Sequence, residues 1–150
     1  MEEFHRASEI VRRSLPASPQ IKWPLLGERL GIDVWVKHEN HLPTGAFKVR
    51  GGLVFMKRLL EDGLGSSGVI AATRGNHGQS IAFAARKVGV PAVIVVPHGN
   101  NPDKNRAMKA YGAELIEAGH DFDAALSEAR GLAAAHKLFP VPSFDPLLVQ

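Results

Sequence analysis

The chain has 150 residues, 45% of them hydrophobic, and sets 18 basic against 15 acidic side chains for a formal net charge of +3. That is enough apolar material for a respectable core. The basic residues are dispersed, with Arg12-Arg13, Lys57-Arg58 and Arg86-Lys87 as the adjacent pairs, and there are no cysteines, so a nucleic-acid footprint, disulfides and thiolate catalysis are all excluded.

Phe4, Ile10, Val11 and Leu15 predict a short amphipathic helix ended by Pro16. Ile32 to Val36 alternates apolar and polar and runs into Lys37-His38-Glu39-Asn40, the pattern of a strand with a polar end. Pro43-Thr44-Gly45 breaks the chain, and Phe47, Leu53, Val54, Met56, Leu59 and Leu60 then recur at helical spacing, predicting a helix from Ala46 to about Glu61. Gly63-Leu64-Gly65-Ser66-Ser67-Gly68 matches a dinucleotide-binding glycine pattern letter for letter. It follows a helix and precedes a strand, the reverse of the order pyrophosphate binding needs, and reads as a flexible connection.

Beyond it the spacing predicts strand Val69–Ala72, helix Asn76–Val88, strand Ala92–Val96, helix Asp103–Tyr111, strand Glu114–Glu117, helix Phe122–His136 and an extended piece from Leu138 to Val141. This alternation predicts an α/β fold, an open and mainly parallel sheet with flanking helices. The longest apolar run, near Val90 to Val96, is interrupted by Pro91 and is too short to span a bilayer, so a cytoplasmic protein without membrane or nucleic-acid partners is expected.

Two stretches carry chemistry. In Pro43-Thr44-Gly45-Ala46-Phe47-Lys48-Val49-Arg50-Gly51, Lys48 stands at the start of a helix beside an aromatic ring. Unpaired N–H groups and partial burial there disfavour an ammonium, which suits an imine-forming amine. By position alone the same lysine reads more readily as a solvated or snorkelling side chain. In Arg74-Gly75-Asn76-His77-Gly78-Gln79-Ser80 a tight polar turn joins strand to helix, and its N–H groups, with Asn76 and His77 as further donors, suit a carboxylate or phosphate. An ordinary capped βα loop has the same pattern. His38 and His41 lie close together but lack a further ligand cluster, so no metal site is expected.

Together, Lys37-His38-Glu39 through Gly52 and Gly75-Asn76-His77-Gly78-Gln79 resemble the lysine and asparagine motifs of the serine/threonine dehydratase group of fold type II (tryptophan synthase β-like) pyridoxal 5′-phosphate enzymes. Pro91 to Pro97, Asn105 to Glu114 and Phe144-Asp145 also fit that group, and the resemblance runs from about Trp23 to the end of the chain.

The resemblance implies a threonine or serine dehydratase, an ammonia-lyase that converts a small hydroxy amino acid to a 2-oxo acid and ammonia. Lys48 would hold the cofactor and act as general base, Phe47 would pack near its ring, and Asn76 would hydrogen-bond its 3′ oxygen. Thr44 and the Gly75, Asn76, His77 turn would hold the substrate carboxylate. A serine racemase, another β-eliminating or β-replacing enzyme of the same cofactor class, and a non-catalytic nucleotide-binding or interaction module remain as alternatives. Arg74 stands where related racemases carry a serine as second base, and a guanidinium cannot give up a proton in that role, which favours the dehydratase where Arg74 faces the site; a side chain turned out to solvent or paired with a carboxylate is the other reading. Ala46 replaces a usual serine.

The glycine-rich phosphate loop of the group, and the serine or cysteine at its pyridine nitrogen, have no match here. The chain is therefore expected to be the N-terminal part only of the full fold and inactive alone, the complete form being a homo-oligomer, a dimer. Residues 1–67 are expected to belong to the larger domain and to carry the lysine motif, 68–145 to form the smaller α/β domain, and 146–150 to begin the return, with hinge motion near Gly63 to Gly68.

Overall fold

The structure, a computed structural model, describes residues 1–149, with Leu147 and Val149 described by their backbone alone. Gln150, the last residue of the expected return segment, lies outside the described residues. Helix α1 (Glu2–Ser14), strand β1 (Gln20–Lys22), helix α2 (Pro24–Leu30) and strand β2 (Trp35–Lys37) come first. A 3₁₀ turn at Glu39–His41 then leads through an irregular bend to α3 (Lys48–Glu61). The rest alternates as β3 (Val69–Ala72), α4 (Asn76–Val88), β4 (Ala92–Val96), α5 (Pro102–Ala110), β5 (Glu114–Glu117), α6 (Phe122–His136), β6 (Phe139–Pro140) and α7 (Pro146–Val149).

The main sheet has the order β5-β4-β3-β6, all parallel, with Val69 opposite Ala92 on one side and Phe139 on the other. Its two central strands are buried on both faces, which is why they read as unbroken apolar runs. Side chains alternate across it: Val69, Ala71, Ile94 and Val96 join a core with α3, α4 and α5, whereas Ile70, Ala72 and Val95 join a second one with Ala125, Ala129 and Ala133 of α6. From β3 the chain winds outward through β4 to β5, then crosses back to lay β6 along the opposite flank of β3. Such a reversal opens a crevice at the carboxyl ends of the strands, where ligands bind in open α/β sheets. The carboxyl end of β3 is the Thr73 to Gly75 turn.

The expected strand from Ile32 to Val36 is shorter and later. Gly31 ends α2 in the left-handed conformation and Ile32 is exposed, so pairing starts at Trp35, antiparallel to β1, with Lys22 opposite it. The lysine helix likewise starts at Lys48 rather than Ala46, because Gly45, at a φ of 65°, sits in a turn closed by its own N–H on Leu42 O at 2.8 Å. Gly63 to Gly68 is a hydrogen-bonded turn between α3 and β3, with Leu64 N–H on Leu59 O at 2.9 Å. No helix among the described residues is long and apolar enough to cross a membrane.

Candidate active site

The bend that presents Lys48 is held from several sides. Arg50 forks onto Glu39, Nε to Oε2 at 2.7 Å and a terminal nitrogen to Oε1 at 3.0 Å, while Ser18 Oγ donates to Glu39 Oε1 at 2.6 Å. The Arg50 guanidinium therefore holds the Glu39 carboxyl below its ordinary range. Tyr111, at the end of α5, donates its hydroxyl to Pro43 O. Thr44 is buried, and its hydroxyl donates to Ala46 O at 3.2 Å, so the turn itself already uses the donor expected to face a substrate. Phe47 is 61% exposed, and the Lys48 amine lies 5.7 Å from its ring centroid.

The second turn is built on Thr73. Its Oγ1 accepts the N–H groups of Gly75 at 3.0 Å and Gly78 at 3.2 Å, and Gly75 O accepts from Gln79 N–H. The N–H groups of Asn76 and His77 are left without a protein acceptor among the described residues, at the amino end of α4 and at the crevice of the sheet. Asn76 is exposed, with Oδ1 accepting from Lys104 Nζ at 2.9 Å. Arg74 points outward, near enough to Asp121 for its charge to help hold that carboxyl low, secondary to the Ala124 N–H that Asp121 caps.

Helices α3 and α4 bring the two turns together. Ser80 Oγ donates to Lys48 O at 2.7 Å, and a Cβ at Gly52 would fall 2.2 Å from that same Oγ, so the helices cross in close contact here. Lys48 lies four residues before Gly52 and His77 three before Ser80, which places both one turn toward the amino ends, on the flanks that meet. The Lys48 charge accordingly reaches His77.

His77 is 7% exposed, and its Nε2 has no hydrogen-bond partner among the described residues. Burial lowers its pKa from 6.5 to about 4, against a hydrogen bond to the Val141 backbone and with the Lys48 charge adding to the fall. A base held neutral in the fold but free to charge when unfolded favours folding above pH 6.5 and loses that contribution as pH falls toward about 4. The full difference corresponds to about 3 kcal/mol. Urea unfolding at neutral pH and near the lower pKa should show a loss of this order, and His77→Gln should flatten it; an equal loss in the variant would assign the acid sensitivity elsewhere.

Of the residues singled out by sequence, the fold gathers Lys48, His77, Asn76 and Gly75 at one crevice and leaves Thr44 and Phe47 on the lysine bend beside it. Sequence reasoning missed Lys104, Ser80 and the Glu39–Arg50 fork. Ser80 lies within the singled-out turn and Glu39 and Arg50 within the lysine motif, so of these residues Lys104 alone stood outside both stretches.

An orphaned buried ring nitrogen, two free N–H groups, an amide and a lysine amine beside an aromatic face suit the imine end and oxygen substituents of a pyridoxal-type ligand. The comparisons agree. The L-threonine ammonia-lyase of Geobacter sulfurreducens is 38% identical over 147 residues, 97% of this chain and 36% of that enzyme. Among solved structures, the processed form of threonine deaminase isoform 2 from Solanum lycopersicum matches with a TM-score of 0.84 and 31% identity, over 98% of this chain and 42% of that one. A pyridoxal 5′-phosphate-dependent aspartate racemase matches with a TM-score of 0.91 and 28% identity, over 99% of this chain and 46% of that one. The chain thus spans well under half the length of the curated relatives it matches. The family model described as pyridoxal-phosphate dependent enzyme matches residues 12–150, and the chain belongs to that family.

Proposed function

We propose that this chain is the lysine- and asparagine-bearing part of a pyridoxal 5′-phosphate-dependent ammonia-lyase acting on L-threonine or L-serine. The observation that carries this reading is the junction at which Ser80 ties the Lys48 backbone to the helix of the Asn76 turn. Lys48 Nζ holds the cofactor and later takes the proton from the substrate Cα. Asn76 donates to the cofactor's ring oxygen, and Phe47 flanks the ring. The free N–H groups of Asn76 and His77, with Gly75 admitting close approach and Thr44 alongside, hold the substrate carboxylate. The bound cofactor supplies the electron sink. Loss of the Cα proton and the β-hydroxyl, followed by hydrolysis, yields a 2-oxo acid and ammonia.

Relatives named for L-threonine and L-threo-3-hydroxyaspartate ammonia-lyase activity support a hydroxy amino acid as substrate. Arg74 turns out to solvent near Asp121, so the preference for elimination over racemisation rests on the names of these relatives. Residues 68–145 form the smaller domain in this reading. Adding pyridoxal 5′-phosphate and reducing with borohydride should place one phosphopyridoxyl group on Lys48. Labelling confined to other lysines, or none at Lys48 in this chain and in any longer form carrying it, overturns the proposal. The shape shared with an aspartate racemase favours racemisation as the second reading, and deuterium uptake with inversion at Cα would select it.

A further inference from the structure

We infer that Lys104 is a positioning residue for Asn76, turning its amide so that Nδ2 presents a donor to the ring oxygen of the bound cofactor. This rests on the reading of Asn76 given above. Lys104 Nζ meets Asn76 Oδ1 at 2.9 Å. An amide can be built in either of two orientations from shape alone, but an ammonium carries only donors, so the amide atom facing Lys104 has to be oxygen. The NH2 group is thereby committed to the opposite side. Without that constraint the amide could as well present its oxygen to the ligand, an arrangement that repels an anionic ring oxygen.

The lysine is itself placed by the fold. Asn101 Oδ1 accepts the N–H groups of Asp103 at 2.9 Å and Lys104 at 3.2 Å, capping α5 and fixing the residue from which the side chain departs. The side chain then crosses directly over Gly75, where a Cβ would fall 2.7 Å from both its Cδ and its Nζ. Gly75 therefore has a second role besides the turn: it leaves the lane along which Lys104 reaches Asn76. Because the partner is a neutral amide, the bond is charge-assisted from one side only. It polarises the amide and strengthens its N–H groups as donors.

The test uses the chain with pyridoxal 5′-phosphate as the probe and compares wild type, Lys104→Met, Lys104→Arg and Asn76→Ala. Lys104→Met should weaken cofactor affinity about 10-fold, the worth of one charge-assisted hydrogen bond. It should also shift absorption from the visible band toward the near-ultraviolet band of the protonated ring oxygen. Lys104→Arg, which keeps the donor, should restore both. Without cofactor, the Asn76 side-chain amide resonances should move in Lys104→Met and return in Lys104→Arg. If Asn76→Ala changes affinity and spectrum while Lys104→Met changes neither, the role of Lys104 is overturned and that of Asn76 stands. If Asn76→Ala is silent, both fall. A loss in Lys104→Met that is abolished by salt, with an unchanged spectrum and unmoved amide resonances, would make Lys104 a direct anion contact and likewise overturn the inference.

Discussion

Replacing Lys48 with alanine should remove the borohydride-reducible adduct with pyridoxal 5′-phosphate and lower 2-oxo acid production from L-threonine by about 10⁴-fold or more in any form of the protein that turns over. The loss is this large because, in the proposed reading, one amine would both hold the cofactor and move the proton, leaving no substitute for it. His77, whose ring feels the Lys48 charge, is held neutral and buried, and an imidazole cannot form the linkage. Lys48→Arg should be as inactive as alanine, since a guanidinium neither forms the linkage nor gives up a proton. Stability should change little in either variant, because Lys48 is partly exposed and its structural tie to Ser80 runs through the backbone carbonyl. A Lys48→Arg protein with substantial turnover would remove Lys48 from the mechanism.

Gly52→Ala should be clearly destabilising. The new methyl would lie 2.2 Å from Ser80 Oγ and 3.2 Å from Ser80 O, so α3 and α4 must separate or the serine must rotate and give up its bond to Lys48 O. Overpacking of this kind costs about 1–3 kcal/mol. Ser80→Ala alone removes one hydrogen bond and should cost about 1 kcal/mol. The double variant removes the clashing oxygen and should be more stable than the sum of the single losses predicts, a coupling readable from urea midpoints in a double-mutant cycle. Strict additivity would mean that the two helices do not meet through this pair.

Much of the fold was legible because its elements follow their apolar spacing, and β3 and β4 are buried on both faces. Val69–Ala72, Asn76–Val88, Ala92–Val96, Glu114–Glu117 and Phe122–His136 keep the bounds their apolar spacing predicts. Helix α2 was not legible. It buries none of its residues, and Leu25 is 79% exposed, so its leucines follow no stripe that a buried face would impose. Local turn chemistry placed Lys48 at a helix start and the Asn76 turn at another, yet their meeting depends on how α3 crosses α4, which neither segment encodes alone. The same holds for Lys104, 28 residues from Asn76. Its position in the sequence is that of an ordinary lysine in the first turn of a helix, and only the return of α5 over the sheet gives it a role.

The place of β6 has a consequence for the order of folding. Strands β3, β4 and β5 pair in sequence through short crossovers, whereas β6 reaches β3 only by closing the loop that contains all of them, with Phe139 N–H on Gly68 O and Val141 N–H on Ile70 O. That late arrival supplies the backbone partner of His77. A folding intermediate with β3 to β5 paired would carry the Asn76 turn on an unfinished base, with a hydrated His77 titrating near its ordinary value. Amide exchange at Val141 should then be faster than at Ile94, and cofactor capture during refolding should lag the appearance of helix.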